Sequence, residues 1–347
     1  VLGISANPNE ITGLNTQALE TLAGTPGSDY ILGQAGLLDT LNGNGGNDYL
    51  EGGAGIDAIN GGAGIDTAGY ANASNGVTVL MTLNGVGTAV GGDGLADTLT
   101  GIENVVGSAF VDNITGDNLA NVLAGLGGND TLNGGGGNDT LIGGAGADVL
   151  NGGAGIDTAD YSTSTDRVVL NLGSPRDSAG DAEGDTFSSI ETVIGTNFND
   201  RIVSTGTGSF TLYGGNGADT LVSGNSTAAN VVMVGGAGKD TFFSGPSNDT
   251  FKYLAATDFL EGETIGNFTG FLGATIIDVI DLSAIDAIPS TPLVNDPFHI
   301  GPGPGGIILT GLNNTTATFV DFAGSISVSF FDLGLGDAEL SARSFIL

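Results

Sequence analysis

Residues 125–160 read GLGGNDTLN, GGGGNDTLI, GGAGADVLN, GGAGIDTAD, four consecutive copies of one nine-residue pattern, G-G-x-G-x-D-x-U-x, with U apolar. The period continues outward from this stretch. Upstream lie GSAFVDNIT from Gly107 and GDNLANVLA from Gly116, so position six is held in turn by Asp112, Asn121, Asp130, Asp139, Asp148 and Asp157. An earlier block from Gly24 reads GTPGSDYIL, GQAGLLDTLN, GNGGNDYLE, GGAGIDAIN, GGAGIDTAG. A weaker later block gives GTNFNDRIV, GGNGADTLV, GGAGKDTFF and SGPSNDTFK, ending at Lys252. A fixed short period sustained over this length is the signature of a solenoid.

The nonapeptide dictates its own local structure. Glycines at positions one, two and four admit a tight turn with φ > 0. The residues after the Asp form a strand of about three residues, too short to stand without neighbours. Its inward side chain is position eight, filled by Leu50, Ile59, Leu132, Leu141, Leu150, Leu221, Phe242 and Phe251. Two nonapeptides then make one 18-residue coil, and successive coils stack about 4.8 Å apart. The predicted fold is therefore all-β. A longer repeat overlies the short one: GGAGIDTAGYANAS at Gly61 matches GGAGIDTADYSTST at Gly152, and each is followed by a Val/Leu run and then D-T-L-T-G-I-E or D-T-F-S-S-I-E. The two insertions, about 70–106 and 161–194, read as copies of one element forming longer coils.

In such a stack, Asp residues 18 apart lie one above another: Asp39 under Asp57, Asp48 under Asp66, Asp112 under Asp130 under Asp148, and Asp139 under Asp157. Bare carboxylates in a column repel by about 1 kcal/mol per pair at 4 Å even in water. The whole chain carries 39 acidic and 6 basic residues, a net charge of −33, so its own cations do not neutralise the columns. Carboxylates and turn carbonyls are oxygen ligands, a set that suits calcium; magnesium demands tighter octahedral geometry and keeps its waters. The same charge excludes binding nucleic acid or anionic lipid by attraction. Zero Cys and one His exclude disulfides, thiolate zinc sites and His-rich metal sites. No apolar run reads as a membrane span, and the first residues lack the basic and apolar regions of a secretory signal peptide.

The nonapeptide resembles the RTX (repeats-in-toxin) calcium-binding family over Gly24–Lys252. The resemblance implies a right-handed parallel β-roll in which each calcium lies between two turns on one edge. Carried onto matching positions, one site takes Gly135, Gly137 and Asp139 with Gly152, Ala154 and Asp157. A second takes Leu126, Gly128 and Asp130 with Gly143, Ala145 and Asp148. A third takes Asn44, Gly46 and Asp48 with Gly61, Ala63 and Asp66, and a fourth Thr25, Gly27 and Asp29 with Gly43, Gly45 and Asp48. By the same correspondence the metal set includes Gly52, Ala54 and Asp57, Gly125 and Gly127, Gly134 and Gly136, and Asp39, Asp112, Asp200, Asp219, Asp240 and Asp249. Departures weaken some of these: an extra residue in the Gly33 unit displaces Asp39, Asn121 is a neutral ligand, and 204–213 and 223–234 have lost the motif. Glu20, in a degenerate leading unit within 1–23, caps the stack.

Beyond Lys252 the pattern changes. Asp278–Ala287, the Phe298–Gly301 segment and the close Ser344–Leu347 resemble the C-terminal region of serralysin-type secreted proteases, which implies that 253–347 is a cap carrying a type I secretion signal. His299 reads as a cap residue. No H-E-x-x-H, G-x-S-x-G or G-x-x-x-x-G-K-[ST] motif occurs, and with 39 acidic residues close carboxylate pairs carry no glycosidase signal. The expectation is a non-enzymatic, secreted calcium-binding structural protein that folds on extracellular calcium and serves as a surface-layer, matrix or filament subunit, with calcium ions, the type I secretion machinery and a homopolymer or surface assembly as partners. The rival readings are the secretion portion of a larger exported enzyme (lipase, protease or epimerase) and an adhesin using Thr rows such as Thr131 and Thr140.

Overall fold

A computed structural model describes residues 10–12, 20–34, 36, 38–82, 85–91, 95–174, 178–224, 230–252 and 254, and beyond these the strands within 264–346. Apart from one 3-10 turn, Gly180–Ala182, every regular element among the described residues is a β-strand. The chain forms two compact units, Val1–Thr163 with Asp181–Ile190, and Ser164–Gly180 with Glu191–Leu347.

In the first unit, alternate nonapeptides feed two parallel sheets, as the 18-residue coil requires. One sheet takes Tyr30–Leu32, Tyr49–Glu51, Thr67–Gly69, Asn104–Val106, Val122–Gly127, Thr140–Ala145 and Thr158–Asp160 in that order. The other takes Asp39–Gly45, Ala58–Ala63 and, after the first insertion, Asn113–Thr115, Thr131–Gly136 and Val149–Ala154. Position-eight side chains stack coil on coil, Leu123 on Leu141 and Leu132 on Leu150, all with 0% exposure. Burial of each such leucine contributes about 1.5–3 kcal/mol. The strands are longer than three residues: Thr131–Gly136 runs on into its turn, because Gly135 and Gly136 pair with Gly153 and Ala154. The turns stack in register as well as the strands, and this brings their oxygens together.

The first insertion is more than a longer coil. Thr78–Met81, Gly87–Val90 and Ala96–Thr100 all enter the second sheet, and Gly87–Val90 runs antiparallel to both neighbours. Its outer strands rejoin the parallel ladder, Thr98 beside Ala58 and Thr78 beside Asn113. In the second copy, Thr186–Ser188 continues the same sheet beside Val149–Asn151. Asp39, expected to be displaced, stays in its column: Thr40 and Leu41 pair with Ala58 and Ile59, and Glu20 pairs with Asp39. The extra residue is absorbed in the turn, where Gly36 takes φ 84°.

The second unit repeats the arrangement. Thr192–Ile194, Phe210–Asn216, Val231–Ala237 and Asp249–Lys252 form one parallel sheet, and Val169–Asn171, Arg201–Ser204, Thr220–Ser223 and Thr241–Phe243 another. Aromatics replace leucine in the core: Phe242 and Phe251 meet edge to face at 5.6 Å. Past Lys252 both sheets first continue in parallel, Thr264–Gly266 beside Thr241–Phe243 and Asp278–Asp281 beside Asp249–Lys252, and then Gly306–Leu312 with Thr315–Val320, and Pro297–Ile300 with Ile326–Ser329, pair antiparallel. His299 lies in the strand beside Thr264 and Ser327. Most of the segment read as cap and secretion signal lies outside the described residues.

Candidate metal centre

The position-six aspartates are buried, from 0 to 3% exposed, along the edges where turns stack. One oxygen of each is committed to the fold. The peptide N–H of Asp112 donates to Asp130 Oδ1, that of Asp130 to Asp148 Oδ1, and that of Asp139 to Asp157 Oδ1, each at 2.8 Å. The same link joins Asp29 to Asp48, Asp39 to Asp57, Asp48 to Asp66, Asp200 to Asp219 and Asp219 to Asp240, again at 2.8 Å. Each carboxylate therefore satisfies a buried peptide donor one coil back, a structural duty separate from metal binding.

The second oxygen differs. Oδ2 of Asp48, Asp66, Asp130, Asp139, Asp148 and Asp219 is buried with no hydrogen-bond partner. A buried, unpaired carboxylate oxygen is costly unless a cation meets it. Burial accordingly pushes these carboxyls up, Asp66, Asp139 and Asp148 to about 6, Asp130 to about 7 and Asp219 to about 8, against the pull of the peptide N–H on the other oxygen. Stacked neighbours add to the rise, Asp148 and Asp112 on Asp130, and Asp240 and Asp200 on Asp219. Backbone oxygen converges on the same places: a Cβ added at Gly125 would run into both Asp130 Oδ2 and the Gly143 carbonyl oxygen, and one at Gly134 into Asp139 Oδ2 and the Gly152 carbonyl. Among the described residues no three His, Cys, Asp or Glu side chains converge. A cation here would thus draw most of its ligands from carbonyls, which fits a hard ion taking six to eight oxygens.

The expected pairs Asp139 with Asp157, Asp130 with Asp148, and Asp48 with Asp66 are brought together by the stacking. In the fourth, Asp29 Oδ2 already accepts the Thr25 N–H at 2.5 Å and its hydroxyl at 3.0 Å. Three ladder members were missed by sequence reasoning. Asp97 and Asp185 accept the N–H groups of Asp57 and Asp148 at 2.8 and 2.7 Å, and Glu103 accepts that of Asp66 at 2.8 Å. The duplicated D-T-L-T-G-I-E and D-T-F-S-S-I-E segments were the available signal. In both copies a buried tyrosine hydroxyl donates to the second oxygen, Tyr70 to Asp97 at 3.3 Å and Tyr161 to Asp185 at 2.5 Å. A further ladder runs at position five, where Asn47, Asn129 and Asn138 accept the N–H of Ile65, Ala147 and Ile156 one coil on, at 3.1, 3.1 and 3.0 Å.

Among the described residues no helix is long and apolar enough to cross a membrane. No match was found among curated proteins. The RTX calcium-binding nonapeptide repeat model matches in four copies, at residues 39–68, 124–159, 185–227 and 225–251. Those copies take in the stacked Asp48–Asp66 and Asp139–Asp157 pairs, and over these residues the chain carries RTX calcium-binding nonapeptide repeats within a parallel β-solenoid.

Proposed function

We propose that this is a secreted, non-enzymatic structural protein whose folding is switched on by extracellular calcium, and that it serves as a surface-layer, matrix or filament subunit. The observation that carries the reading is the row of buried aspartate oxygens without a proton donor, in a chain of net charge −33. Without a cation those oxygens and their mutual repulsion oppose the fold; calcium bound between turns reverses the sign of the same contacts. At about 1 mM calcium and a Kd of about 10⁻⁴ M, each site contributes roughly 1.4 kcal/mol to the folded state. RTX proteins are typically exported by type I systems, and a chain kept unfolded where calcium is scarce suits such export.

Circular dichroism tests the folding step. Strand signal is expected to appear on addition of calcium and to vanish with chelator, while an apo chain already fully folded would overturn the proposal. Electron microscopy of the calcium-loaded protein tests the structural role, with sheets or fibres expected. Monodisperse single particles would remove the assembly part of the reading.

A further inference from the structure

The stacked turns fall into two kinds, distinguished by the backbone at positions two and four. In the turns carrying Asp48, Asp57, Asp66, Asp130, Asp139, Asp148, Asp157, Asp219 and Asp240, both positions are left-handed, with φ between 73° and 154°. Two of these positions are not glycine, Asn44 at φ 73° and Leu126 at φ 75°. A left-handed leucine is rare enough to mark a conformation that its surroundings impose. In the second kind, position two turns its peptide N–H onto its own position-six side chain: Thr25 onto Asp29, Gln34 onto Asp39, Ser108 onto Asp112, Asp117 onto Asn121, Thr196 onto Asp200 and Gly245 onto Asp249, at 2.5 to 2.9 Å. In four of them the position-two side chain also accepts the position-four N–H, as Ser108 Oγ does from Phe110 at 3.1 Å and Thr196 Oγ1 from Phe198 at 2.9 Å.

The two kinds separate the carboxylates. Oδ2 of Asp48, Asp66, Asp130, Asp139, Asp148 and Asp219, each in a left-handed turn and at most 2% exposed, is without a hydrogen-bond partner. In self-bonded turns the corresponding oxygen is taken by the chain's own N–H; only Asp39, in the unit with the extra residue, keeps one bare oxygen. The one neutral position six, Asn121, falls in a self-bonded turn, where an acceptor suffices and no charge is needed. Self-bonded turns are also ordered along the chain. They open the first block (Asp29, Asp39), the second (Asp112, Asn121) and the third (Asp200), and one, at Asp249, closes the third.

We propose that calcium enters only where two left-handed turns stack, at Asp48 with Asp66, Asp130 with Asp148, Asp139 with Asp157 and Asp219 with Asp240, and that the self-bonded turns opening each block are calcium-silent. The inference rests on the calcium reading above and divides its sites. Among turns that carry Asp at position six, position two decides which of them bind: a peptide N–H on the carboxylate fills the place of the ion and removes the need for it. The silent coils give each block a first layer whose hydrogen bonds close without metal.

Equilibrium dialysis of the full chain against radioactive calcium tests this. Asp29→Asn and Asp112→Asn are expected to bind as many ions as the unaltered chain, and Asp130→Asn and Asp139→Asn one fewer each. If Asp112→Asn loses as many as Asp130→Asn, the distinction is overturned. The double variant Ser108→Gly, Phe110→Gly, which frees position two to turn left-handed, is expected to bind one ion more; an unchanged count in that folded variant also overturns it. No calcium uptake by the unaltered chain would overturn the calcium reading itself, a result separable from either of these.

Discussion

The two units are built on one repeat but differ in charge. Val1–Thr163 with Asp181–Ile190 holds 21 acidic side chains and no Lys or Arg, whereas the other unit holds 18 acidic side chains and all 6 basic ones. Their edges differ in the same sense. In the first unit buried carboxylates run through coil after coil. In the second, hydroxyls take over part of one edge, with Ser223 Oγ 2.8 Å from Ser247 Oγ and Ser247 Oγ donating to Asp249 at 2.8 Å. Arg167 also pulls Asp200 down, although burial raises that carboxyl on balance. On the proposed reading a solenoid edge is closed by metal or by neutral hydrogen bonds, and three of the four proposed calcium sites fall in the first unit against one, Asp219 with Asp240, in the second.

The largest expected effect follows directly. On chelation, amide exchange protection should collapse across 122–154 of the first unit and persist longer in 201–223 of the second; equal loss in both would break the comparison. Acidification comes next, and its sign is fixed by the raised carboxyls. Their folded values, about 6 to 8 for Asp66, Asp130, Asp139, Asp148 and Asp219, lie above the unfolded value of about 3.9, so the folded state binds more protons. This contribution to the metal-free fold is complete below about pH 4 and lost as pH rises through about 6 to 8. Thermal melts in chelator should thus give a higher Tm at pH 5 than at pH 8, while calcium affinity moves the other way because the ion displaces protons.

Third, Phe242→Ala in the second unit should cost about 3–5 kcal/mol and Leu132→Ala in the first about 2–5 kcal/mol, read by denaturant melts in saturating calcium. Both residues are fully buried, so similar losses there would sharpen the contrast by confining it to the edges. The smallest effect is expected from Tyr161→Phe, which leaves one oxygen of Asp185 without its donor at a cost of about 1–3 kcal/mol in the same melts.

The period made the coil, the two parallel sheets and the inward row from Leu50 to Phe251 legible, because spacing alone decides which residues stack. The Asp columns were legible for the same reason. Other features depend on contacts that spacing does not contain. Asp97 and Asp185 join columns across insertions of unequal length, 40 residues from Asp57 and 37 from Asp148, so no fixed interval points to them. The antiparallel Gly87–Val90 strand lies inside a segment that reads as a Val/Leu run and loop. Asp39 keeps its register because a turn absorbs an inserted residue that the period alone treats as a shift. The division between turns is only partly written at position two, where Thr25, Ser108 and Thr196 stand against glycines in most left-handed turns: Asn44 and Leu126 turn left-handed and Gly245 is self-bonded, so it emerges only when the N–H direction is known.

The aspartate ladder also gives the solenoid a polarity. Each rung lends its amide to the carboxylate one coil later in sequence, as Asp112 does to Asp130 and Asp130 to Asp148. A partial stack thus ends in dangling amides on its C-terminal rim, while its N-terminal rim shows carboxylates that water or a self-bonded turn can serve. The two ends of any stack are therefore chemically distinct, one lined with donors and the other with acceptors, so a second copy meets them end to end in one orientation only.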